Sequence, residues 1–166
     1  MSTPTHPGHP HGAMRRKDRE ITDRAAIDAV LTEGRLLYLA LADDNIPFVV
    51  PVFYAYDHTG LFFHCARAGT KVRIMERNPL VSFVVSLEQG IIESDAACDF
   101  EARHRTVIGH GRVVFVTDEA AKIAALDRIV ARFTPRHFDY PKANLAVTNV
   151  VRIEIDSIKG KTHGLV

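Results

Sequence analysis

The chain has 166 residues, of which 46% are hydrophobic and 25% charged, and its formal net charge is +1. That length suits one domain with one core, and the near-neutral balance excludes a protein built mainly to hold nucleic acid or an anionic membrane surface. No apolar run approaches the roughly 18 residues of a spanning helix, and no apolar signal core opens the chain, so it is read as cytoplasmic and free of the membrane.

Residues 1–13 are rich in Pro, His and Ser/Thr with almost nothing to bury, and are expected to be a disordered tail ahead of a single domain over 14–166. A helix is expected from Asp23 to Glu33, with Thr22 as cap, Gly34 as stop, and Ile27, Val30 and Leu31 on its buried face. Strand-like segments follow at 35–42 and 47–56, separated by the turn residues Asp43, Asp44 and Asn45. Pro51 cannot donate to a ladder, so its strand lies at an edge, carries a bulge, or faces something other than a strand. The turn Asp57-His58-Thr59-Gly60 leads into a strand over Leu61–Cys65, so these two segments are expected to form a hairpin. A small-residue turn ends at Gly69, and a helix opens near Thr70 and runs to Asn78, where Pro79 stops it. Further on come a strand over Leu80–Ser86, a loop over 91–103, and a strand over 105–117 bent at Gly109 and Gly111. A helix over 118–133, a loop over 134–143, a strand over 147–155 and a basic, glycine-broken tail complete the chain. Six strands with few helices predict a mainly β fold, an antiparallel barrel with helices covering its openings.

The charge pattern singles out the helix after Gly69. Arg67, Lys71 and Arg73 crowd its start and the first acid is Glu76, whereas the other two helices begin Thr22-Asp23 and Thr117-Asp118-Glu119. A helix N-terminus carries partial positive charge and favours acids by about 0.3–1 kcal/mol each. Cations beside unpaired N–H groups and a glycine turn instead make an anion site, most often for phosphate. The competing reading is that the long Lys and Arg stems swing harmlessly into water.

Other motifs carry less. Gly109-His110-Gly111 lacks the third glycine and following helix of a dinucleotide loop. His64 and Cys65 are strand neighbours pointing to opposite faces, which disfavours a thiol–imidazole pair. Cys65 and Cys98 read as free thiols, and no spacing predicts a metal site.

Several segments together carry a family resemblance. They are Met14–Ile21, Pro-Phe-Val-Val-Pro-Val (47–52), Phe-His-Cys-Ala (63–66), Gly-Thr-Lys (69–71), Arg-Asn-Pro (77–79), Arg105–Gly111 and Ile-Lys-Gly-Lys (158–161). In this order they resemble the FMN-binding split-barrel proteins related to pyridoxamine 5′-phosphate oxidase, above all the 5-nitroimidazole-resistance (Nim-like) branch. The resemblance implies a homodimer of six-stranded antiparallel split β-barrels with short flanking helices, and FMN in two interface clefts. It implies that Val50, Pro51 and Val52 lie along the flavin ring and that His64 and Cys65 end the next strand beside it. Gly69, Thr70 and Lys71 would hold the phosphate, and Arg105 and Thr106 would complete phosphate or ribityl contacts. Thr70 departs from the Arg that pyridoxamine phosphate oxidases carry there, which argues against that vitamin activity. His64 is the candidate catalytic residue, set against a core histidine fixed by a hydrogen bond. The implied activity is reduction of small electron-poor substrates such as nitroaromatics, with soluble NAD(P)H as donor. The alternatives are a haem-binding split barrel, with His64 or His163 at iron, and a non-catalytic flavin-binding protein.

Overall fold

The computed structural model of the protein describes residues 11–164. Among the described residues there are eight antiparallel strands, in chain order β1 (Glu20–Ile21), β2 (Leu36–Asp43), β3 (Ile46–Phe53), β4 (Ala55–Asp57), β5 (Gly60–Ala66), β6 (Leu80–Ile92), β7 (Glu101–Val116) and β8 (Thr148–His163). The helices are α1 (Arg24–Glu33), α2 (Thr70–Arg77), α3 (Glu119–Ala131) and the short α4 (Lys142–Ala146). The sheet order is β3-β2-β6-β7-β8-β5-β4, with β1 paired to the far end of β8. Its two edge strands, β3 and β4, are successive in the chain and do not pair, so the barrel is split there.

Period-two burial places the core. Leu37, Leu39 and Leu41 of β2, Phe83 and Val85 of β6, Val107 of β7, and Val151 and Ile153 of β8 all point inward. A smaller cluster lies outside the barrel, where Ala125, Leu126 and Ile129 of α3 and Leu145 of α4 cover Ala55, Phe62 and Val150. Helix α1 is fixed at its C-terminus by groups distant in sequence. The buried Tyr54 hydroxyl donates to the Leu31 carbonyl at 2.6 Å, and the Arg132 guanidinium donates to the carbonyls of Thr32 and Gly34.

The structure corrects the six-strand expectation to eight. Segment 47–56 divides at Tyr54, whose ring turns into the core. As a result β3 pairs with β2, and only Ala55–Asp57 forms the hairpin with β5. The expected loop over 91–103 is confined to 93–100, because Gly90 (φ 98°) sits in an irregularity of the ladder and the pairing resumes at Ile91 and Ala102, and at Ile92 and Glu101. The basic tail likewise continues β8. Gly160 does not break that strand but lets β1 approach, since a Cβ there would lie 2.7 Å from Ile21 Cβ. The bend at Gly109–Gly111 has a steric origin as well, because a side chain on Gly109 would strike the Phe83 ring. The cap of α1 is Asp23, not Thr22: its carboxylate accepts from the N–H groups of Ala25 (3.3 Å) and Ala26 (3.1 Å). Residues 1–10 of the expected tail lie outside the described residues. His11 lies against His110 with the rings tilted, their centroids 5.3 Å apart.

Candidate cofactor site

The site gathers around the split. β3 is hydrogen-bonded only on its β2 side, and its other edge approaches β5 without pairing. Val50 and Val52 turn toward the core, while Pro51 faces outward opposite Tyr38. A proline there costs no ladder bond to a further strand, which agrees with the edge reading. His64 and Cys65 end β5 on opposite faces: Cys65 packs against the barrel core, and His64 turns outward. The turn after them is tied to the α4 region, where Arg67 donates to the Ala146 carbonyl at 3.0 Å.

At the first turn of α2 the departure from ordinary helix design is visible in three dimensions. The N-cap is Gly69, with φ 123° and ψ 170°, a conformation open almost only to glycine, and no side chain caps the helix. By contrast, α1 and α3 are capped by Asp23 and Asp118, the latter accepting from the Ala121 N–H at 2.8 Å. Thr70 is exposed, and Lys71 rests its ammonium 5.6 Å above the Phe63 ring. Among the described residues no carboxylate lies within ion-pair distance of Lys71.

The cation cluster is narrower than the sequence implied. Arg73 pairs with Asp43 at 2.7 Å, and Arg77 with Asp43 and Asp44 at 2.8 and 3.0 Å. These pairs clamp α2 to the β2–β3 turn, where Asp44 and Asn45 both have positive φ. Arg73 is therefore engaged by Asp43, and among the described residues Lys71 and Arg67, which donates to the Ala146 carbonyl, are the cations of this cluster without a carboxylate partner.

Lys71 also shapes its neighbours. Crowding by protein pushes the His64 imidazole below its ordinary value, and the Lys71 ammonium adds to the shift, although part of the ring still meets solvent. Burial pushes the Cys65 thiol up, opposed in part by Lys71. At neutral pH the pair is accordingly a neutral imidazole and a protonated thiol.

Arg105 and Thr106 stand elsewhere. His64 pairs with Val150 of β8, whereas Arg105 pairs with Thr162, twelve residues further on and on the order of 40 Å of extended chain. Arg105 is engaged by Glu33 (2.6 Å) and Gln89 (3.0 Å), and Thr106 by Ser86 (2.9 Å) and His104 Nδ1 (3.3 Å). Within one chain the structure keeps His64, Cys65 and Lys71 together, with β3 approaching β5, and leaves Arg105 and Thr106 out. His163 is at that far end too, with its Nε2 against Glu101. No motif marks Ser86 and Gln89, which flank Arg105 and Thr106 across the β6–β7 ladder.

A split antiparallel barrel carrying an uncapped, lysine-bearing helix end defines the class of protein. The chain belongs to the pyridoxamine 5′-phosphate oxidase family, whose pattern it matches over residues 23–162. Among solved structures it is similar to a protein of Bacteroides thetaiotaomicron VPI-5482 provisionally described as a 5-nitroimidazole antibiotic resistance protein. The two share 26% identity over 86% of this chain and 85% of that one, with a TM-score of 0.77. An FAD-binding protein of Mesorhizobium loti is also 26% identical, over 88% of this chain and 98% of that one, with a TM-score of 0.65. The flavocytochrome Anf3 of Azotobacter vinelandii shares the fold at 23% identity, over 93% and 73% of the two chains, with a TM-score of 0.83. No curated protein sequence matches the chain.

Proposed function

We propose that this protein binds FMN at the split of the barrel and acts as a reductase of small, electron-poor molecules such as nitroaromatics. The observation that carries the reading is the α2 N-terminus. It is the one helix of eight or more residues among those described that lacks a side-chain cap, and it presents Gly69, Thr70 and Lys71 where a phosphate dianion would satisfy N–H groups and charge together. The residues present fit the cofactor. The free edge of β3 at Val50–Val52 has backbone groups to offer a heteroaromatic edge, and Lys71 lacks a counter-ion among the described residues. The similarity to an FAD-binding protein supports a flavin as the bound group.

The flavin, when bound, supplies two-electron transfer. The chain's own residues would bind and orient it. Lys71 neutralises the phosphate, the Gly69 turn lets backbone approach it, and β3 lines the ring. His64 is the proposed proton-exchanging group, a role supported by its being neutral at pH 7 and at the end of β5. NAD(P)H is the proposed soluble donor.

The proposal includes a homodimer. Pro51, Tyr38, Val84 and Ile108 are successive cross-strand partners in one outward-facing row, flanked by Val49 and Phe53, each 58% exposed. An exposed apolar face of this kind marks an interface. A second copy seated there would let the partner subunit's Arg105 and Thr106 reach a site that its own chain cannot.

The absorption spectrum of the purified, FMN-incubated protein tests the reading. Flavin bands are expected, a Soret band would favour the haem alternative, and a chain that neither absorbs nor quenches flavin fluorescence would refute the cofactor. Steady-state NAD(P)H oxidation with a nitroimidazole then separates a reductase from a flavin carrier.

A further inference from the structure

We propose that a cleft between α3 and the outer sheet face is a second ligand site, for an aromatic monocarboxylate. Its floor is a cross-strand row, Phe62 of β5, Arg152 of β8 and Val114 of β7, with Val116 beside it. The wall is α3, which here presents Ala121, Ala124 and Arg128, while its larger side chains Leu126 and Ile129 pack into the neighbouring cluster. Residues three and four apart share a helix face, so the two alanines leave a trough that longer side chains would fill. The cleft measures about 490 Å³, within the usual range for small-molecule sites. None of these residues belongs to the proposed flavin site.

The polar groups of the lining select the ligand's charge. Asp57 is the one carboxylate among the described lining residues, and both its oxygens are used: Oδ1 accepts from the Thr59 N–H (2.8 Å) and hydroxyl (2.5 Å), and Oδ2 pairs with Arg128 at 3.0 Å. Arg128 lies over the Phe62 ring, its Cζ 5.5 Å from the centroid. Arg152 runs its stem through the floor and meets Glu154, which is not part of the lining, with one nitrogen. A guanidinium carries five N–H donors, so each arginine has donors beyond those contacts. The lining therefore combines two guanidinium groups and one spent carboxylate with a flat apolar floor. A flat aromatic body fits between the floor and the alanine wall, and a carboxylate matches the guanidinium donors that Asp57 and Glu154 leave unused.

The test uses the full chain with its cofactor bound and titrates 2-naphthaleneacetate, with 2-naphthaleneethanol as its uncharged match, by calorimetry. Saturable binding of the acid is expected, with the alcohol about tenfold weaker or worse. Arg152→Gln should weaken the acid by about tenfold, Ala124→Phe should abolish its binding by filling the trough, and flavin absorbance should not change. Equal binding of acid and alcohol, wild-type affinity in both variants, no saturable binding, or displacement of the flavin by the acid would each overturn the proposal. If Ala124→Phe does not fold, amide shifts on adding the acid decide it: they must centre on Phe62, Val114 and Arg152.

Discussion

Replacing Lys71 by Met separates the role of its charge from that of its stem. In the free protein the ammonium has no carboxylate partner among the described residues, and its contact with the Phe63 ring is a cation–π interaction worth about 0.5–1 kcal/mol. Met keeps the apolar stem, so the variant should lose at most about 1 kcal/mol of folding stability. Against a phosphate the same ammonium makes a charge-assisted hydrogen bond worth about 1.5–3 kcal/mol. At about 1.4 kcal/mol per decade, the Kd for FMN should rise about 10- to 150-fold. Riboflavin lacks the phosphate and serves as the internal control. Titrating apo-protein and following quenched flavin fluorescence, the preference for FMN over riboflavin should shrink by that factor while riboflavin affinity holds. An unchanged preference would refute the phosphate assignment, because no other change in Lys71 could spare it. Arg73→Gln is the counterpart, and should leave FMN affinity intact because Arg73 serves Asp43.

Other consequences can be measured directly. Gly69→Ala places a Cβ on a backbone with φ 123° and should cost about 1–3 kcal/mol in chemical denaturation, although open space surrounds it. Tyr54→Phe strands the Leu31 carbonyl in the core and should cost about 1–3 kcal/mol by the same measurement, with the fold retained by circular dichroism. His64 has a depressed folded-state pKa, so its contribution to stability is complete above the ordinary value near 6.5 and drains away as pH falls through the depressed one. An NMR titration should find its midpoint below that value and moved upward in Lys71→Met, and His64→Gln should flatten the stability profile in that window. Val49→Lys, at an exposed position, should leave the monomer folded and convert the proposed dimer to monomer in light scattering.

Local chemistry was legible in the sequence. The break at Pro79, the glycine start of α2 and the absence of an acid at that end follow from backbone sterics and charge over a few residues, and all three appear in the structure. Pro51 likewise restricted its strand to an edge, a bulge or a neighbour other than a strand, because a missing donor is a property of one residue, and the structure makes it an edge. The ordered motifs carried the family and the split-barrel class. What needed coordinates was everything fixed by contact between distant segments. Asp43 claims Arg73 across the β2–β3 turn, and so removes a cation that the sequence had counted toward the phosphate. Register along β8 separates Arg105 and Thr106 from His64. Tyr54 turns inward to Leu31 and sends β3 and β4 to opposite edges of the sheet. A single residue fixes its own φ and its own charge, but its partner is chosen by packing, and packing exists only once the chain has closed on itself.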